Sequence, residues 1–89
     1  MKIGQLVRYP KSEGSQVPVM LGVITELNPI KDDAHTEIFW LDEDEVGGTI
    51  TSTWMNEDFE VTSFHDPGVI LFIDDLDRTK RDLLMRVVS

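Results

Sequence analysis

Apolar and β-branched residues recur along the first two-thirds of the chain in short runs, each closed by turn-forming residues. Gln5 to Tyr9 reads Gln-Leu-Val-Arg-Tyr and stops at Pro10, which cannot donate to a sheet ladder, so it is predicted as a first strand. The polar stretch PKSEGSQVP between two prolines is predicted as an exposed loop. Val19 to Leu27 is long and β-branched, with Gly22 in its middle marking a bulge or a close backbone approach, and Asn28-Pro29 ends it. After the polar loop IKDDAHTE, Ile38 to Leu41 is a third strand, and the charged, glycine-paired DEDEVGG is a hairpin connection with Gly47 or Gly48 in the turn. Thr49 to Trp54 alternates, with Ile50, Ser52 and Trp54 on one face and Thr49, Thr51 and Thr53 on the other. Met55 to Asp58 suits one tight turn, and Phe59 to Ser63 a fifth strand.

Five short strands at this spacing leave no room for crossover helices, which excludes a parallel sheet and predicts a small antiparallel barrel or bent sandwich. The turn signal His65-Asp66-Pro67-Gly68 follows, and Val69 to Ile73 reads as one more strand. In the tail, Leu76, Leu83, Leu84 and Val87 fall near helical spacing, with Asp74 or Asp75 in place to cap a short helix. The rival for this tail is a hairpin pairing LLMRVVS with VILFI.

Neighbours on a strand point to opposite faces. If Ile38 and Trp40 fill the interior, Phe39 and Leu41 must face outward, and Val19, Leu21 and Val23 likewise oppose Met20 and Ile24. Two strands are therefore apolar on both sides and need a cover, either the C-terminal segment or another protein chain. The residues assigned to such an interaction are Phe39, Leu41, Leu83, Leu84, Val87 and Val88. Tyr9, Trp54 and Phe59 would suit an aromatic peptide groove, whose place the sequence does not locate.

The phrases IGQLVRY, LGVITEL, IFWLD and DFEVTS together resemble the small barrel proteins of the Src-homology-3-like and KOW type. They are particularly similar to short proteins of tailed bacteriophages, which open with Gly-x-Leu-Val-Arg and close with an acidic residue, Leu or Phe, then Glu-Val. The matching positions are Gly4, Leu6, Val7 and Arg8, then Gly22, Val23 and Ile24, then Trp40, then Phe59, Glu60 and Val61; Gln5 departs from the acidic residue usual after the first glycine. The resemblance covers residues 1–63 and speaks to fold more than activity. It implies an all-β architecture, a five- to six-stranded antiparallel barrel over residues 1–63; the segment from Val69 onward has no counterpart in it, and residues 64–89 are expected from their own pattern to add a strand and a short helix or hairpin.

The 89 residues carry a formal charge of −9, and residues 1–65 hold 12 Asp and Glu against 4 Lys and Arg. A surface this negative repels phosphate backbones, so direct nucleic-acid binding is not expected. There is no cysteine, so neither disulfides nor a thiolate-bound metal brace the core. No secretory apolar region opens the chain, and its longest apolar run, Val69 to Ile73, is far too short to span a bilayer. The expectation is a protein of the host-cell cytoplasm or a virion, with no membrane association.

Candidate chemistry is sparse. Asp42, Glu43, Asp44 and Glu45 imitate the start of a calcium loop, but Val46 stands at position five, which needs an oxygen ligand, and Thr53 at position twelve, which needs a bidentate carboxylate. Asp74, Asp75 and Asp77, with Arg78, Lys80 and Arg81 behind them, could be a phosphoryl-transfer cluster but read better as helix capping. His35 and His65 lack the partners of a hydrolase triad. The expectation is therefore no enzyme, no metal and no cofactor, but a protein-interaction or structural module that buries apolar surface against a partner or another copy. The second reading is an acidic inhibitor that mimics DNA or docks on a basic host protein through Glu37, Asp42, Glu43, Asp44, Glu45, Glu57, Asp58 and Glu60.

Overall fold

The computed structural model describes residues 1–11, 17–42 and 49–88. The Asp42–Glu45 run beyond Asp42, the Gly47-Gly48 turn and the centre of the first loop lie outside them. Five strands form one antiparallel sheet: β1 (Leu6–Tyr9), β2 (Met20–Leu27), β3 (His35–Asp42), β4 (Thr49–Met55) and β5 (Glu60–Val61). Their order is β4-β3-β2-β1-β5, and a single 3-10 turn, Asn56–Asp58, separates β4 from β5. Two helices follow, α1 (Pro67–Asp75) and α2 (Arg78–Val87).

The pleat sorts the apolar residues into two clusters, one on each face. Val7, Ile24, Ile38, Trp40 and Phe59 form the inner cluster, joined by Met20, Trp54 and Val61. Leu6, Leu21, Val23 and Leu41 face the other way and pack with Val69, Phe72, Leu76 and Leu84 of the helical tail. In a flat sheet β1 and β4 would lie about 14 Å apart, three strand spacings. The Tyr9 ring of β1 nevertheless meets the Trp54 ring of β4 at 5.0 Å, so the sheet curls around the inner cluster. It does not close: β4 and β5 remain its two edges.

The expected strand at Val69–Ile73 is instead part of α1, and the hairpin alternative for the tail is not formed. The reason is local and tertiary at once. Asp66 caps the helix, its side chain accepting from the Gly68 amide, and Pro67 occupies the first turn, where a missing N–H costs nothing. Val69, Phe72, Ile73 and Leu76 then recur at helical spacing, and all four pack on the outer face of the sheet. Burying each such side chain is worth about 1.5–3 kcal/mol, which outweighs a strand preference of about 1 kcal/mol per residue at most. The capping assignment is also corrected. Asp77 caps α2 by accepting from the Lys80 amide at 2.8 Å, whereas Asp74 and Asp75 end α1. Arg81 reaches back from α2 to the carbonyls of Ile73 and Leu76 at 3.3 and 3.4 Å, satisfying the C-terminal end of α1.

Gly22 marks a close approach rather than a bulge; the irregular register falls between Ile24 and Glu26. A Cβ at Gly22 would sit 2.7 Å from Ile38 Cγ2 and Trp40 Cε3 and 2.9 Å from the Phe39 carbonyl oxygen. The backbone oxygen cannot step aside. Gly22→Ala is expected to lower stability by about 1–3 kcal/mol through overpacking. Urea unfolding checks this; an unchanged midpoint would show that the inner cluster has slack.

Candidate functional site

The six residues assigned from sequence to an apolar interaction are brought together by the fold, but against one another. Phe39 and Leu41 on β3 and Leu83, Leu84, Val87 and Val88 at the end of the chain belong to a single cluster. Leu41 and Leu84 are completely buried and the other four are half-buried. Much of the cover demanded by a two-faced apolar sheet is thus supplied within the chain, leaving Phe39, Leu83, Val87 and Val88 partly exposed.

What clamps that cover is a buried ion pair. Arg8 of β1 is fully buried, and its Nη1 donates to Asp66 Oδ2 at 2.9 Å while its Nε donates to the Pro10 carbonyl at 3.2 Å. The same carboxylate accepts from the Thr62 hydroxyl at 2.8 Å and, through Oδ1, from the Gly68 amide at 2.9 Å. One side chain therefore joins β1, the segment after β5 and the start of α1. Burial by itself pushes the Asp66 carboxyl up; hydrogen bonds from Thr62, Arg8 and the Gly68 amide, and the charge of Arg8, overcome this and hold it below its ordinary value of 3.8. The resemblance had singled out Arg8, but nothing in the sequence pairs it with a residue 58 positions away.

The aromatic residues form a continuous path from the interior to the surface. Phe59 meets Trp40 at 6.5 Å and Trp54 meets Tyr9 at 5.0 Å, both edge to face, while Trp40 meets Trp54 at 5.0 Å in a tilted arrangement. Trp40 is fully buried and its indole N–H has no hydrogen-bond partner, so packing alone holds the ring. The Trp54 indole donates to Ser52 Oγ at 2.7 Å, which fixes its orientation at the mouth of the curl. Tyr9 is 36% exposed, so the path ends in solvent. Of the three residues assigned to an aromatic groove, Tyr9 and Trp54 meet here, while Phe59 is buried in the inner cluster.

The described members of the acidic set stand on β3, the 3-10 turn and β5. Glu37 lies half-buried on β3 and accepts from the Thr25 hydroxyl at 2.8 Å, Glu57 and Asp58 are exposed on the 3-10 turn, and Glu60 lies on β5 with β1 and β2 between it and Glu37. The remaining members, Asp42 to Glu45, lie outside the described side chains. Asp32 receives the amides of Ala34 and His35 at 3.0 Å each and faces His35 Nδ1 at 2.7 Å, an arrangement that organises the loop before β3. Among the described residues no group of three or more His, Asp or Glu is placed to hold a metal. No helix among them is long and apolar enough to cross a membrane. A cleft of about 280 Å³, which sequence reasoning did not find, opens between Lys2, Gly4 to Leu6, Thr62 to His65 and Val88.

Asp66→Asn retains a capping side chain but removes the charge opposite buried Arg8, and is expected to cost about 2–4 kcal/mol at neutral pH. Because the folded-state pKa of Asp66 is lowered, its stabilisation is present above the unfolded value of about 4 and is lost as pH falls from there through the folded value. Denaturant midpoints at pH 7 and near pH 3 should therefore differ more for the native chain than for Asp66→Asn; equal differences would refute the role given to the carboxylate. Compared with protein-family models, curated proteins and solved structures, the chain matches none.

Proposed function

We propose that this chain is a non-catalytic protein-interaction module on a Src-homology-3-like barrel, of tailed-phage origin, that docks a partner over Tyr9 and Trp54. The barrel reading is supported by the strand order β4-β3-β2-β1-β5, by the 3-10 turn before β5 and by the curl that brings Tyr9 against Trp54. The phage origin draws support from the opening and closing phrases of the sequence. The observation that carries the functional reading is the aromatic path itself: two rings, held edge to face on a rigid sheet, end at the surface of a strongly acidic chain. Rigid aromatic side chains lose little conformational freedom on binding and are the usual anchors of protein interfaces. The outer-face apolar residues serve as core here, so the docking surface of the module is the aromatic mouth and not Phe39 and Leu41.

The test is a peptide-display selection against the full chain, followed by affinity measurement with Tyr9→Ser and Trp54→Phe. Loss of an aromatic anchor is expected to weaken the selected binders about 30-fold, the effect of a hot spot worth about 2 kcal/mol. The melting temperature should stay within a few degrees, since Tyr9 is at the surface and Phe preserves most of the Trp54 packing. Failure to select any binder, or binders indifferent to both substitutions, would sink the reading. A strong fall of affinity with salt that ignores Tyr9 and Trp54 would instead favour docking through the acidic residues.

A further inference from the structure

The two edges of the sheet are unequal. β5 is two residues long, whereas β4 is seven, and β3 is its only strand neighbour among the described residues. The Asn56 amide donates to the Ala34 carbonyl at 2.7 Å, which sets the alternation of the β3–β4 ladder. It turns the backbone groups of Ser52 and Trp54 toward β3 and those of Thr51, Thr53 and Met55 away from the sheet. The side chains of Thr51, Thr53 and Met55 are exposed as well. Folded proteins blunt such an edge with proline, charge, a bulge or a very short strand. Thr49–Met55, Thr-Ile-Thr-Ser-Thr-Trp-Met, has no proline and no charge, and its register with β3 runs unbroken over seven pairs.

We propose that β4 is a strand-addition site whose occupant is an extended segment of a partner protein rich in Lys or Arg. Charge decides against a second copy. In sequence the strand is preceded by Asp42, Glu43, Asp44 and Glu45 and followed by Glu57 and Asp58. Two copies would each bring a formal charge of −9 and an exposed Glu57-Asp58 pair to the joint. A cationic strand meets Glu57 and Asp58 as counter-charges, while its backbone satisfies the outward groups of Thr51, Thr53 and Met55. Alternate side chains of the added strand would lie beside Trp54, so the edge and the aromatic mouth form one continuous surface. This inference rests on the interaction reading above and adds the mode of binding and the charge of the partner.

The experiment uses the 15N-labelled full chain and three synthetic peptides: an alternating Lys-Val peptide, the same sequence with N-methylated alternate amides, and its Glu-Val counterpart. The Lys-Val peptide should slow hydrogen exchange at the Thr51, Thr53 and Met55 amides by about tenfold or more at saturation, an effect weakened by salt. The N-methylated and Glu-Val peptides should not. Thr53→Lys places a like charge on the edge and should abolish that protection with an unchanged melting temperature, and Thr53→Pro, which removes an outward donor, should do the same if it folds. Protection that is absent, or equal with the N-methylated peptide, overturns the proposal; slowed exchange at these amides in concentrated protein without peptide overturns the choice of partner over a second copy. If Tyr9- and Trp54-dependent binding persists without β4 protection, the edge is refuted and the interaction reading stands, whereas loss of both refutes that reading too.

Discussion

A β-strand cannot hide two adjacent apolar side chains on one face, and this protein places Phe39 beside Trp40 and Leu21 to Ile24 in a nearly unbroken apolar run. Everything else in the architecture answers that constraint. Trp40 and Ile38 turn inward, where the sheet curls over them; Phe39 and Leu41 turn outward, where two helices lie across them. A small domain that buries both faces of one sheet gains a second layer of core without a second sheet. This suits a chain with no cysteine and a thin stability margin.

The Arg8–Asp66 pair shows how the two layers are joined. A buried charge is costly alone and is tolerated only with a partner and a full set of hydrogen bonds. Asp66 supplies the counter-charge and one hydrogen bond, the Pro10 carbonyl accepts another, and Asp66 also caps α1, so the residue that starts the helix ties it to the sheet. Arg81 completes the arrangement at the other end of α1 by holding its last carbonyls. Most of the outer face is covered by these contacts, so the binding proposed above falls to features the helices do not cover: Tyr9 with Trp54, and the edge of β4.

Much of the strand layout was legible because strand alternation is a local, period-two signal. Thr51 and Thr53 are exposed while Ser52 and Trp54 are half-buried, as the alternation of that segment requires. The tight turn at Met55–Asp58 became a 3-10 turn at Asn56–Asp58, and the close approach expected at Gly22 is present. The candidate site was less legible. Phe39, Leu41, Leu83, Leu84, Val87 and Val88 were recognised as a matched apolar set, but whether they meet each other or a foreign chain depends on the path of the tail. Of the acidic group, Glu37 and Glu60 stand on strands separated by two others, while Asp42 to Glu45 lie outside the described side chains.

By itself, the sequence determined that the middle of the chain would be short antiparallel strands, that two of them would be apolar on both faces, and that something must cover the excess. Those properties follow from side-chain periodicity and turn chemistry within a few residues. Only the tertiary structure decided that Val69–Ile73 is helical, that Arg8 is neutralised by Asp66 and that Tyr9 meets Trp54 across the curl. A run of Val, Ile, Leu and Phe is compatible with strand or helix, and the choice turns on the apolar face waiting to be covered. That face is assembled from residues far apart in the chain, so no local pattern records it.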